Sequence, residues 1–326
     1  MSEEQCIRRL RFHKEVVTVL CKLLQTYLAV DTGTRTSLSE ALKVTVALNF
    51  YATGSFQSPV GDICNTSQFA EHCCIRQVTD ALYSKQMNYF KFSMSREDQD
   101  ERTHGFARIA GFPTVQGATH CTHVALRALP HNYEVFWNRK GFHSLNVQLV
   151  CDHRQMILTV NARYPGSCHD AFILREITVS RLFKPLHEGH GWLLGGKVYG
   201  VASRLMTSLR NPTNPAEQHD NTSHTTTRAI VEQTIAVLKQ RFRCLDHSGG
   251  PLQYSSDRVS TITIVSCILH NLAIMRGQPL TPGMDVPPQE EDDEEEAEEP
   301  QPRRRQRDTA VAGRAARQRL IAHRFQ

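Results

Sequence analysis

The chain lacks the features that mark secreted and membrane proteins. Its first residues show no basic segment followed by an apolar core, so no secretory signal is expected. No apolar run approaches the ~18 uninterrupted residues of a membrane-spanning helix. The ten cysteines include no C-x-x-C pair, which excludes the common zinc-finger spacings. We therefore expect reduced thiols, a nuclear location with the cytoplasm also open, and no membrane partner.

Three familiar catalytic signatures are also missing. There is no G-x-S-x-G elbow, no glycine-rich phosphate loop ending in Lys and Ser or Thr, and no H-E-x-x-H helix. The sequence thus excludes the usual serine-hydrolase, nucleotide-hydrolase and zinc-protease chemistries.

Charge is present but unevenly distributed. The chain has 38 Lys and Arg against 33 Asp and Glu, a formal net charge of +5. Nine of the ten residues from Glu290 to Glu299 are acidic, and eight arginines lie between Arg303 and Arg324. Residues 1–289 keep 30 basic and 23 acidic side chains, a net charge of +7. A basic body favours a nucleic acid, here DNA, as the partner.

The N-terminal part has a helical pattern. Apolar residues recur at helical spacing at Ile7, Leu10, Val17, Leu20, Leu24 and Leu28. They predict a first helix that begins near Cys6. Ser37 or Ser39 can cap a second helix, and Ser67 can cap a third that ends at Tyr83. Helix, turn and longer helix are typical of a helix-turn-helix module.

This all-α region, residues 1–92, has two interpretations. As a helix-turn-helix region it would bind DNA through Arg76 and Lys85, the cations of the candidate recognition helix. Two cations give a weak electrostatic attraction for phosphate, so a plain helical bundle is the alternative.

Residues 105–276 have a different pattern. Short β-branched and apolar runs occur at Val124–Leu126, Leu145–Cys151, Met156–Val160 and Trp192–Leu194. Helical patterns return at Asp170–Ile177, from Thr226, and from a cap near Ser256. Strands grouped with helices in this order predict an α/β domain with a mixed sheet flanked by helices.

The last segment, residues 277–326, is expected to be disordered. Pro and Glu dominate its acidic first part, and Arg dominates the rest. The run Arg303–Arg307 fits a nuclear import signal, a nucleic-acid arm or a solvated tail, and the sequence leaves these three open.

Several segments, in order along the chain, carry a resemblance to a known family. They are Leu48–Gln57, Asn138–Asn146, Pro165–Asp170, Trp192–Gly195, Arg241–Asp246 and Cys267–Asn271. Together they resemble the PIF/Harbinger transposases. The resemblance implies a ribonuclease H-like, DDE-type nuclease domain preceded by a helix-turn-helix region. It also implies DNA as the substrate, Mg²⁺ or Mn²⁺ as the cofactor, and a Myb/SANT-like DNA-binding protein as a partner.

The same resemblance implies four acidic positions that hold metal. In this chain they are occupied by His120, Asp170, Gly196 and Glu232. Asp170 and Glu232 are therefore the expected catalytic and metal-binding acids, and His120, which stands in place of a family acid, is the candidate third ligand. Paired divalent ions assist phosphodiester hydrolysis, and hard cations such as Mg²⁺ need oxygen ligands. A histidine and a glycine in place of two acids predict impaired metal binding and cleavage.

Two other functions remain open. A rebuilt site of His120, Asp170 and Glu232 could hold one Mn²⁺ or Zn²⁺. Alternatively, the protein could be a non-enzymatic DNA-binding or scaffolding protein that acts with the Myb/SANT-like partner. Two nearby residues have ordinary interpretations: His123 is expected to pack or form a hydrogen bond, and Asp152 is expected to stabilise a hairpin turn.

Overall fold

The computed structural model describes residues 1–29, 38–54, 67–127, 133–173, 191–199, 204–278 and 304–324. The candidate cap Ser37, the expected helix end at Ile177 and the acidic run Glu290–Glu299 lie outside these residues, as do the side chains of Arg303–Arg307.

Helices form the N-terminal part, as predicted. They are α1 (Glu3–Leu10), α2 (Lys14–Leu28), α3 (Glu40–Thr53), α4 (Gln68–Tyr83), α5 (Gln86–Tyr89) and α6 (Arg96–Ala110). The hydroxyls of Ser39 and Ser67 accept hydrogen bonds from the first turns of α3 and α4, which confirms both caps. The predicted first helix is in fact two helices, because Arg11 adopts a left-handed conformation with φ of 63°. The polar helix α6 is not apparent in the apolar pattern.

A five-stranded mixed sheet follows. Its strands are β1 (Val115–Ala125), β2 (Ser144–Cys151), β3 (Ile157–Pro165), β4 (Trp192–Leu194) and β5 (Leu205–Met206). The spatial order is β3-β2-β1-β4-β5, with β1, β2 and β3 antiparallel and β4 and β5 parallel to β1. This sheet and its flanking helices confirm the predicted ribonuclease H-like α/β fold. The strand β5 escaped prediction because it is only two residues long.

The remaining helices are α7 (Tyr133–Phe136), α8 (Pro215–Arg241), α9 (Ser256–Met275) and α10 (Arg304–Arg324). Helix α8 begins earlier than Thr226, because the Asn214 side chain caps its first turn by accepting from Glu217 N. Among the described helices, α9 is long and apolar enough to cross a membrane. It is a mostly buried core helix, which passes the same test in proteins that enter no membrane.

The helices and the sheet share one continuous apolar core, and α9 connects them. The Asn271 side chain accepts from Ile157 N at 2.8 Å and donates to Ile157 O at 2.8 Å and Tyr89 O at 3.1 Å. This side chain therefore links α9 to both β3 and the end of α5. The motif Cys267–Asn271, which contributes to the family resemblance, thus has a structural role here.

The tail differs from its predicted disorder, because it contains the helix α10. The Arg317 guanidinium binds the Asp220 carboxylate of α8, and the two side chains are 4% and 0% exposed. Burial raises the pKa of Asp220, although the Arg317 charge opposes this. Ala316, Leu320 and Ile321 pack against the core beside this ion pair.

We expect Arg317→Ala to release α10 from α8. Removing one partner of a buried ion pair leaves the other charge unpaired, which costs about 3 kcal/mol or more. The measurement is the rate of tryptic cleavage within residues 304–324, together with the free energy of unfolding in urea. Arg314→Ala, at an exposed position on the same helix, is the matched control. Equal cleavage rates for the two variants would contradict this docking.

Two buried histidines predict acid sensitivity. His224 donates to Met206 O and His270 to Gln155 O, each at 2.9 Å, and burial lowers their pKa values to about 3 and about 4. The unfolded chain binds these protons below pH ~6.5 while the folded chain does not. Stability should therefore fall as pH drops from about 6.5 towards 4, by about 1.4 kcal/mol per pH unit for each histidine.

Urea unfolding at several pH values in this range measures the slope. In His270→Gln the slope should be shallower than in the wild type by about 1.4 kcal/mol per pH unit, because one linked proton is removed. The exposed-site variant His104→Gln should keep the full slope. A wild-type stability that is flat over this range would refute the assignment of neutral buried imidazoles.

Candidate nuclease site

The turn Pro165–Asp170 follows β3 and packs against the start of β2. Gly166 N donates to Ser144 O at 2.8 Å, and Cys168 N closes the turn on Pro165 O at 3.0 Å. A Cβ at Gly166 would lie 2.3 Å from Ser144 Oγ and 2.6 Å from Phe136 O, so only glycine fits this contact. The turn places Asp170 at the start of a helix at residues 170–173, as the sequence predicts.

Asp170 belongs to a small polar cluster. The Asn146 side chain of β2 donates to Asp170 Oδ1 at 2.7 Å and to Cys168 O at 2.9 Å. Burial and then the nearby Asp170 charge raise the pKa of the Cys121 thiol well above its usual value. Tyr199 donates to Cys121 Sγ at 3.3 Å. The thiol is thus kept protonated and packed beside the carboxylate.

The strand register shows which face of the sheet this cluster occupies. His120 lies opposite Leu149, whereas Cys121 lies opposite Gln148. Neighbouring residues of a strand point to opposite faces, and residues opposite each other share a face. Because Asp170 lies beside Cys121, it is on the face of β1 that His120 does not share.

The helix α8 covers the other face. Its Thr234 hydroxyl donates to Cys151 Sγ at 3.4 Å, and Cys151 lies opposite Ala118. Ala118 and His120 are two residues apart on β1 and therefore share this face. The structure thus assigns His120 to the face covered by the helix that carries Glu232, and it places Asp170 on the opposite face.

Glu232 forms an ion pair with a residue on its own helix. Its Oε1 lies 2.7 Å from an Arg228 guanidinium nitrogen, one turn earlier, with side chains 21% and 16% exposed. Gly196 is buried and offers no side-chain ligand, and the exposed Lys197 follows it.

Within the described ranges, no group of three or more His, Cys, Asp and Glu side chains could hold a metal ion. The roles of His120, Asp170 and Glu232 as ligands stay predictions based on the resemblance.

The ordinary interpretations of two other residues are confirmed. His123 Nδ1 lies 2.9 Å from Ser144 Oγ, and its ring meets Phe142 edge-on. Asp152 Oδ1 accepts from Arg154 N at 2.8 Å and Met156 N at 2.9 Å in the hairpin between β2 and β3.

The candidate DNA-binding residues lie on the helical region, away from this site. Arg76 is exposed on α4, with its guanidinium 3.9 Å from the Asp80 carboxylate. Lys85 Nζ lies 4.6 Å from the centre of the Tyr27 ring. Both cations have local partners, and their role in DNA binding stays a prediction.

Sequence reasoning missed four members of the site: Cys121, Asn146, Tyr199 and Arg228. The four-residue spacing of Arg228 and Glu232 on a helix could have revealed the ion pair. Asn146 lies inside a segment that contributes to the resemblance, but its partner Asp170 is distant in sequence. The contact of Tyr199 with Cys121 joins residues far apart in sequence and has no local signal.

The sheet order and the position of α8 match a ribonuclease H-like fold, the fold of DDE-type nuclease domains. In agreement, a sequence profile described as DDE superfamily endonuclease matches residues 119–271. No solved structure matches the chain significantly.

Similar proteins narrow the class further. The Homo sapiens protein named "Putative nuclease HARBI1" is 35% identical over 295 residues, which cover 89% of this chain and 84% of that protein. The Xenopus laevis protein of the same name is 32% identical over 275 residues, with coverage of 84% and 79%. Protein ALP1-like of Arabidopsis thaliana is 23% identical over 248 residues, with coverage of 71% and 60%. The chain belongs to the family of Harbinger transposase-derived nucleases.

We expect Gly166→Ala to destabilise the turn that positions Asp170. The added methyl would meet a backbone carbonyl that cannot move away easily, and overpacking of this kind costs about 1–3 kcal/mol. Chemical denaturation measures the loss. Gly249→Ala is the control, since its Cβ would meet nothing closer than 3.4 Å. If the two substitutions cost the same, the close contact at Gly166 does not constrain the turn.

Proposed function

We propose that the chain is a DNA-binding member of this family whose metal-dependent cleavage is severely impaired. The observation that carries the proposal is the chemistry of the four positions at which the resemblance implies acids. His120 and Gly196 replace two of them. Of the two acids that are left, Glu232 is paired with Arg228 and Asp170 is hydrogen-bonded by Asn146.

The energetic argument follows from the role of the metals. Two divalent cations a few ångströms apart repel each other, and the carboxylates around them offset that repulsion. Each metal stabilises the transition state by several kcal/mol, so losing the pair slows hydrolysis by at least about 100-fold. An imidazole, a glycine, an ion-paired carboxylate and the single carboxylate of Asp170 provide too little negative charge to hold two Mg²⁺ ions.

DNA binding is supported by the net charge of +7 on residues 1–289 and by membership of a nuclease family. The same proposal includes cooperation with a Myb/SANT-like DNA-binding protein. It also includes a nuclear location and leaves a cytoplasmic location open. The family resemblance supports the partner, and the arginines of Arg303–Arg307 support nuclear import. A scaffolding role through that partner needs no cleavage.

The alternative with one Mn²⁺ or Zn²⁺ on a rebuilt site is less well supported. It needs the side chains of His120, Asp170 and Glu232 to meet at one ion. The strand register instead assigns His120 and Asp170 to opposite faces of β1.

The test is cleavage of supercoiled plasmid by the purified full-length chain with Mg²⁺ or Mn²⁺. We expect the wild type and Glu232→Ala to nick DNA at the same background rate, because the wild type has no metal pair to lose. The double substitution His120→Asp/Gly196→Asp should create Mn²⁺ binding that calorimetry detects, since it restores two oxygen ligands. His120→Asp alone is the matched control for the second ligand. Robust cleavage by the wild type that Glu232→Ala abolishes would refute the proposal.

A further inference from the structure

A group of exposed aromatic rings lies on α7 and the residue that follows it. The fractions of Tyr133 and Trp137 exposed to solvent are 53% and 46%, and Val135 between them is 49% exposed. Exposed apolar side chains that are scattered singly are normal, whereas a contiguous group of them marks a candidate binding surface. Neither the fold nor the candidate nuclease site uses these rings.

The rings are held rigidly despite their exposure. Tyr133 and Trp137 are stacked, with centroids 6.1 Å apart and planes 19° from parallel. The His143 ring meets both edge-on, with centroids 3.9 Å from Tyr133 and 4.9 Å from Trp137. Trp137 and His143 also form an isolated β-bridge. Binding of a ligand that stacks on these rings would therefore cost little conformational entropy of the side chains.

Backbone and side-chain bonds fix this surface beside Asp170. The buried Asn138 accepts from Phe142 N at 3.2 Å and donates to Ser144 Oγ at 2.8 Å, which closes the loop after Trp137. The carbonyl of Val135 accepts from Ser167 N at 3.4 Å. The aromatic surface is thus attached directly to the turn that ends at Asp170.

The charge around the rings is mainly positive. Arg139 and Lys140 follow Trp137 and are exposed, while Glu134 is the one acid within residues 133–143. The Arg139 guanidinium donates to the ring of His169, the residue before Asp170. Two cations next to exposed rings are the combination that single-stranded nucleic acid requires: π-faces for the bases and positive charge for the phosphates.

We propose that Tyr133, Trp137, Arg139 and Lys140 form a binding site for an unpaired nucleotide of single-stranded DNA. The base stacks on the exposed ring surface, and the cations contact the adjoining phosphate. A duplex hides its base faces, so this surface favours unpaired over paired DNA. The inference rests on the proposed function, because it extends the DNA binding of the same nuclease domain to one strand beside Asp170.

An aromatic surface of this kind could also bind a protein. A protein partner would need a larger apolar area than two rings and one valine supply. The adjacent Arg139 and Lys140 match phosphate better than an apolar partner. We therefore assign single-stranded DNA as the ligand. Binding that does not depend on the bases would overturn this assignment.

The first experiment uses the two tryptophans of the chain, Trp137 and Trp192. In full-length Trp192→Phe, Trp137 becomes the single fluorescent reporter. Titration with a short oligothymidylate should quench its emission. An abasic oligonucleotide of the same length, which keeps the phosphates, should quench it weakly or not at all.

The second experiment measures affinity by the anisotropy of a labelled oligothymidylate in the wild-type background. Loss of one stacked base reduces affinity by about 5- to 100-fold, so this loss is expected for Trp137→Ala. Trp137→Phe should keep most of the affinity, because it keeps a π-face. Phe69→Ala, which removes an aromatic ring that is 77% exposed on the helical region, is the matched control. A thermal unfolding curve for each variant confirms that it folds.

The inference is overturned if Trp137→Ala and Tyr133→Ala bind oligothymidylate as the wild type does, or if the abasic strand binds equally well. Binding of duplex DNA by the wild type is measured in parallel. Duplex binding with no effect of Trp137 would refute this inference alone. Absence of binding to either form of DNA would refute the proposed function as well.

Discussion

The antiparallel register between β1 and β2 determines which side chains share a face of the sheet at the candidate site. It sets Cys121 opposite Gln148 and His120 opposite Leu149, and every neighbouring contact depends on that pairing. A slip of one residue would exchange the two faces and bring His120 towards Asp170. The register is well determined because all eight residues of β2 are buried, so each side chain has a packed environment that only one pairing satisfies.

The loss of acids that we propose for this site would affect stability as well as chemistry. Carboxylates that share a metal site repel one another when the metals are absent, and the fold must bear that cost. At the four positions that the resemblance implies, Gly196 and His120 would each remove one such charge, and Arg228 forms an ion pair with Glu232. The remaining acid, Asp170, is satisfied by Asn146. The domain can therefore fold without a bound cation in this region. A site with four acids would be destabilised by repulsion between its carboxylates when no cation is bound.

The parts of the structure that follow local rules could be predicted from the sequence. Ser39 and Ser67 act as caps because the hydroxyl and its backbone partner are three residues apart, and Asp152 stabilises its hairpin for the same local reason. The docking of Arg317 on Asp220 could not be predicted, since nothing in an arginine-rich segment shows which arginine will be buried. The face occupied by Asp170 was equally hidden, because it depends on a contact with Asn146 across a turn.

The residues that we propose for DNA binding differ from those that the resemblance implies for cleavage, so one activity could be lost without the other. Metal-dependent hydrolysis needs several carboxylates within a few ångströms, and a single substitution at such a site is felt by every cation bound there. Contact with a nucleic acid is spread over many weak interactions, each worth little alone. The rings of Tyr133 and Trp137 are held by His143 and Asn138, and none of these residues is among the positions where acids are missing. Substitutions at residues 120 and 196 therefore leave this surface unchanged, so the proposed loss of cleavage is compatible with the proposed binding of DNA.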